Sequence, residues 1–150
     1  MKKILLTAVV ALSTLVASAQ FMVVTTYDDD QVESIDKITA NLGVGYMVND
    51  AFTVGLAKGA AIETITGTDT TSADGYNLWA RYNLPMVEGA YVAFEMPTKD
   101  GSDNMKLGLG FSFNVWKGLH IDPSYTMPTK EDAVTEKREG SFNIGIGYRF

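Results

Sequence analysis

Residues 141–150, SFNIGIGYRF, decide the fold. Taken in steps of two they separate into Phe142, Ile144, Ile146, Tyr148 and Phe150 on one side and Asn143, Gly145, Gly147 and Arg149 on the other. Successive side chains of a β-strand point to opposite faces, so this is a strand with one wholly apolar face and one small or polar face. The pattern recurs in register three more times, as NLGVGYMV from Asn41, NLWARYNL from Asn77 and KLGLGFSF from Lys106. Each copy carries an aromatic residue near its end: Tyr46, Tyr82, Phe111 and Tyr148.

Outward from these four copies, alternating segments at 21–27, 38–48, 52–62, 76–84, 90–96, 105–115, 119–127 and 142–150 make eight strands separated by turn residues. The connections at 49–50, 85–89 and 116–118 are short, whereas those at 28–34, 66–75, 98–104 and 128–140 are longer. This alternation predicts an antiparallel up-and-down sheet with short turns at one end, long loops at the other, and both termini at the short-turn end. It is the build of an all-β, eight-stranded transmembrane β-barrel, whose tight turns lie in the periplasm and whose larger loops face outside.

Periodicity does not say which face is inside, since a soluble sandwich or lipocalin-like barrel would bury the apolar one. The small residues break the tie. Gly43, Gly45, Gly108, Gly110, Gly145 and Gly147 all oppose the apolar face. Glycine weakens a strand but permits close packing inside a narrow barrel, where Trp79 and Arg81 take two of the equivalent places. The same face carries Glu63, Arg81, Glu95, Lys106, His120, Asp122 and Arg149, expected to form a charge-paired polar lumen. The apolar face is then expected to meet lipid, with Tyr46, Tyr82, Phe111 and Tyr148 as a girdle at headgroup level.

Two residues break the pattern. Lys58 falls on the apolar face, where a charge near the midplane costs about 2–4 kcal/mol. A β-bulge between Leu56 and Gly59 is expected to turn it into the lumen, towards Glu63 or Glu95. Pro123 removes a ladder hydrogen bond from a closed sheet, so a second irregularity is expected there.

The first 19 residues read as a signal peptide: Lys2 and Lys3, an apolar run from Ile4 to Val16, and a small-residue cleavage site at Ala17-Ser18-Ala19. Residues 20–150 then form one barrel domain, and the chain has no cysteine to staple it. Beyond Gln20 no apolar run approaches the roughly 20 residues that a spanning helix needs. The formal charge of -6 becomes -8 without the two leader lysines, which argues against nucleic acid as a partner. The longer loops carry that surplus, with Asp28, Asp29, Asp30 and Glu33 in the first and Asp69 and Asp74 in the second. They lack the spaced ligands and fixed glycine of a calcium loop, so no metal site is assigned and the acidic loops read as solvated.

The terminal signature is Phe150 last, Tyr148 two before it, and Ile146, Ile144 and Phe142 at alternate positions. On these residues the chain resembles the small eight-stranded outer-membrane barrels of the OmpX and OmpA-transmembrane-domain type, over the whole of 20–150. The resemblance implies a bacterial outer-membrane location with periplasmic termini and contact with lipid and lipopolysaccharide. It also implies that barrel-assembly machinery reads the C-terminal strand.

Candidates for chemistry are few. His120, Asp122 and Ser124 share one face of one strand, but same-face neighbours sit nearly 7 Å apart, too far for triad hydrogen bonds unless other strands supply partners. No catalytic residue and no cofactor is assigned. The motif MPTK occurs at 96–99 and again at 127–130, each where a strand ends, and fits a duplicated hairpin. The expected role is a non-enzymatic surface one, structural, adhesive or protective, exercised through the acidic loops. The alternative is a narrow porin-like channel for small ions or apolar molecules.

Overall fold

The computed structural model of the protein describes residues 20–28, 31–66, 69–99, 101, 103–131 and 136–150, and side chains at 60–66, 69–72 and 74 fall outside that description. The strands are β1 (Phe21–Thr26), β2 (Gly43–Met47), β3 (Phe52–Thr66), β4 (Asp69–Asn83), β5 (Ala90–Pro97), β6 (Lys106–Phe111), β7 (Phe113–Trp116), β8 (Leu119–Pro128) and β9 (Ser141–Arg149). Every pair is antiparallel, each strand pairs with the next along the chain except β6 with β7, and β1 pairs with β9. β6 and β7 lie along the same edge of β8, separated only by Ser112, so they are two halves of one wall strand. The result is a closed eight-stranded up-and-down barrel with no free sheet edge around its wall.

Register fixes the two faces. Val44, Tyr46, Phe52, Val54, Leu56, Leu78, Tyr82, Leu107, Leu109, Ile144 and Ile146 are all exposed on the outside. Their cross-strand partners are of the same kind, as in Tyr46 opposite Val54, Leu56 opposite Leu78 and Ile121 opposite Ile146. Met22, only 1% exposed, together with Tyr91, Arg81, His120 and Asp122, fills the inside. The apolar face is therefore outside and the polar face inside, the reverse of a water-soluble barrel.

The tight turns follow from local chemistry. Asn49 accepts the N–H groups of Ala51 and Phe52 on its Oδ1, closing the β2–β3 turn. Lys117 and Gly118 both take positive φ, 35° and 88°, as a two-residue hairpin matching the strand twist requires. Both ends of the described chain lie at this short-turn end, where Met47 N–H donates to Gln20 O and Phe150 N–H to Phe21 O.

Four expectations need correction. The strand expected from residue 38 begins only at Gly43, because a short helix α1 (Asp36–Thr39) precedes it, with Thr39 N–H donating to Ile35 O. The expected loop at 66–75 is mostly strand: β3 and β4 continue pairing as far as Thr66 opposite Asp69, since its run of threonines favours extended backbone. The register shift in this hairpin lies between Gly59 and Ile62, beyond Lys58. Lys58 consequently stays in regular register opposite Tyr76 and is exposed on the outer face, not turned into the lumen.

The irregularity at Pro123 takes an unexpected form. β8 keeps its regular pairing with β9 through Pro123 opposite Ile144. On its other edge the pairing stops after Gly110 opposite Ser124 and resumes at Phe113 opposite Ile121. The register is the same on both sides of this gap, so the missing proline donor interrupts the ladder without displacing it. A true shift follows between Asn114 and Trp116, next to the Lys117–Gly118 turn.

Candidate functional site in the barrel lumen

The lumen has a floor, built from side chains of strands on different parts of the ring. Arg81 on β4 reaches to Asp122 on β8, Nη2 to Oδ2 at 2.8 Å, and the two groups are 9% and 3% exposed. The guanidinium also lies over the Tyr91 ring of β5, 3.8 Å from its centroid. Glycines on neighbouring strands make room for the large rings. A Cβ on Gly110 would lie 2.5 Å from the Tyr91 hydroxyl, and one on Gly45 or Gly55 would lie 2.5 Å from the Trp79 indole. Gly45, Gly55 and Gly110 are therefore sockets for two aromatic side chains that, with Met22, close the barrel at this level.

Between this floor and the short turns lies a second polar group. His120 Nδ1 sits 3.2 Å from Ser112 Oγ and its Nε2 sits 3.3 Å from Asn114 Nδ2. Arg149 donates from Nη2 to the same Ser112 Oγ at 3.2 Å. Ser112 falls in the break between β6 and β7, and Asn114 is opposite His120 in register, so both partners come from the wall strand beside the histidine. A serine beside a histidine invites a nucleophilic reading. Here, however, the hydroxyl accepts from a cationic guanidinium, which lowers its electron density. The arrangement is a chain of hydrogen bonds running from Asn114 through His120 and Ser112 to Arg149.

Towards the loops the lumen opens into a cavity of about 240 Å³, whose lining runs from Arg81 and Asp122 up to Lys106 and Asn143. Glu95 on β5 and Lys106 on β6 face each other in register on one wall. Asn77 donates to Glu95 Oε1 at 2.5 Å, and Asn143 to Thr126 Oγ1 at 3.0 Å.

The structure thus gathers Arg81, Glu95, Lys106, His120, Asp122 and Arg149 into the lumen as two layers and a wall pair. Lys58 borders the cavity from β3, but its regular register opposite Tyr76 turns its exposed side chain to the outer face. Glu63 has its backbone in β3 opposite Ser72, and its side chain lies outside the described residues. Tyr46, Tyr82, Phe111 and Tyr148 are all exposed on the outer face near the short-turn end, and Phe142, Ile144 and Ile146 continue that face upward along β9. Phe150 packs edge-on against Tyr148, ring centroids 4.9 Å apart. Tyr91, Ser112, Asn114 and Asn77 were not singled out from sequence. Strand parity puts all four on the inward face, but only closure shows which charged group each one meets.

At the loop end, Gln31 donates to Asp28 Oδ2 at 3.0 Å, while Asp29 and Asp30 lie outside the described residues. No group of three or more potential metal-ligating side chains is found among the described residues. No protein-family model matches the chain, and neither does any curated protein.

Proposed function

We propose that this chain is an exported outer-membrane barrel of the OmpX and OmpA-transmembrane-domain type, with a non-enzymatic surface role exercised at its loop end. The observation that carries the reading is the inversion of the barrel: exposed Val, Leu, Ile, Phe and Tyr cover the outer wall while Arg81, Asp122 and His120 are buried within. A barrel with an apolar exterior and closed edges satisfies every wall hydrogen bond internally, which is the condition for residence in hydrocarbon. Tyr46, Tyr82, Phe111 and Tyr148 then ring the periplasmic interface, and Tyr76 and Tyr125, exposed on the outer wall nearer the loops, belong to the opposite one.

On this reading Lys58 needs no burial. It stands opposite Tyr76, at the level of the outer aromatic residues, where its ammonium extends to lipid phosphate or lipopolysaccharide. The leader of residues 1–19 would be removed on export, and the β9 signature ending in Tyr148 and Phe150 would be read by the assembly machinery.

Transport is disfavoured by the floor. Arg81, Asp122, Tyr91, Trp79 and Met22 occupy the cross-section of a barrel whose interior is just wide enough for side chains. The test is reconstitution of residues 20–150 into planar bilayers, with membrane fractionation and heat-modifiable gel mobility in parallel. The expected result is membrane-fraction protein, a mobility shift on boiling, and no steady current. A soluble-fraction protein would overturn the membrane reading. A steady current would favour the second reading, a narrow channel, for which the 240 Å³ cavity above the floor is the specific support.

A further inference from the structure

The loop-side cavity carries an inference that the plugged barrel by itself does not. Two pairs of charged residues line it, Arg81 and Asp122 on the floor and Glu95 and Lys106 on one wall, and Lys58 borders it from β3. Each pair holds one cation and one anion, so both signs of charge are offered side by side within a chain of formal charge -6. Neither a simple anion nor a simple cation is favoured by such a site.

The two pairs differ in one respect. Arg81 and Asp122 neutralise each other at 2.8 Å. Glu95 and Lys106 are direct cross-strand neighbours, yet Glu95 bonds Asn77, and the Lys106 ammonium has no partner among the described residues. Opposite charges placed side by side on neighbouring strands, with lysine uncommitted, present a donor cation and an acceptor anion a few ångströms apart to whatever enters from the loop end. Beneath them the wall is shaved back by Ala57, Ala93 and Gly108, and Trp79 offers an aromatic surface.

We infer that this cavity is a binding cup for a small zwitterion, a free α-amino acid or a molecule with the same headgroup. Its carboxylate is taken by Lys106, its ammonium by Glu95, and a short side chain lies over Trp79. The volume supports that size, since about 240 Å³ lies below the range of pockets for drug-sized ligands. The floor makes the cup blind, so the site retains its ligand at the outer surface and does not pass it through.

The test uses the refolded barrel in detergent micelles, with Trp116 on the outer wall replaced by Phe so that Trp79 is the only indole reporter. L-alanine is titrated against emission, alongside propionate and isopropylamine, which carry one charge each at similar size. The expected result is a saturable change with alanine and weaker or no saturation with the single-charge probes. Glu95→Gln and Lys106→Gln should each weaken alanine binding about tenfold or more, the scale of one charge-assisted hydrogen bond. Both variants lie on the cavity wall above the floor, and a retained boiling-dependent mobility shift certifies that they fold. The proposal is overturned if alanine gives no saturable signal in the folded barrel, if either single-charge probe binds as well, or if both Gln variants bind alanine unchanged. None of these outcomes touches the membrane reading, which fractionation decides separately.

Discussion

At the residue scale the decisive group is Arg81. It is held by an ion pair to Asp122 and a ring face from Tyr91, in a part of the molecule where each charge is nearly inaccessible. Removing one member of such a pair leaves the other charge buried and uncompensated, whereas removing both and keeping volume is close to neutral. Arg81→Ala is therefore expected to lower unfolding free energy by about 3–5 kcal/mol, and the double change Arg81→Met with Asp122→Leu to recover most of it, as read by urea unfolding from lipid vesicles. Lys58 gives the opposite expectation. Placed at the outer aromatic level, it is at a depth where a charge costs about 0–1 kcal/mol, so Lys58→Leu should change stability by less than about 1 kcal/mol. A gain of 2 kcal/mol or more in the same unfolding assay would put Lys58 near the hydrocarbon midplane. The sequence alone made Lys58 look costly because alternation gives a face but not a depth.

At the element scale, the repeated MPTK motif has one physical job. Thr98 donates both its N–H and its hydroxyl to Tyr76 O, and Thr129 donates both to Met105 O, at 2.9 and 3.2 Å for the hydroxyls. Each threonine thus caps the first carbonyl beyond the paired stretch of the neighbouring strand, directly after a proline that cannot donate. Thr98→Val and Thr129→Val should each cost about 1 kcal/mol in equilibrium unfolding, the net worth of one hydrogen bond, with the fold retained. The β3–β4 hairpin follows a different logic. Past Lys58 and Tyr76 the two strands pair only with each other, because β2 joins β3 no farther than Ala57 and β5 joins β4 no farther than Asn77. Replacing residues 60–74 by Asn-Gly would join Gly59 to its partner Gly75 through a two-residue turn. The shortened chain should keep its boiling-dependent mobility and lose little stability, whereas failure to fold would show that the ribbon helps form the wall. The polar threonines and aspartates of this segment carry the composition of a loop, while the β-branching of the threonines sets an extended backbone.

At the scale of the whole molecule, stability depends on closure. β9 pairs with β8 on one side and β1 on the other, so its loss opens two edges at once. A chain ending at Gly140 should fail to give a compact, heat-modifiable species in detergent, and a compact band from it would mean that closure is dispensable. Much of this architecture was legible in advance. The period-two pattern of SFNIGIGYRF and its three sisters, with alternating connection lengths, determined the strand count, the antiparallel order, and which residues share a face, because those properties depend only on local backbone geometry and chain connectivity. The same residues could not say which lumen groups meet. Arg81 and Asp122 are 41 positions apart, Arg149 and Ser112 are 37, and Asn77 and Glu95 are 18. Their contacts arise from register across several strands and from the curvature that brings distant strands face to face, so only the closed barrel decided that the lumen has a floor near the short turns and an open cup above it.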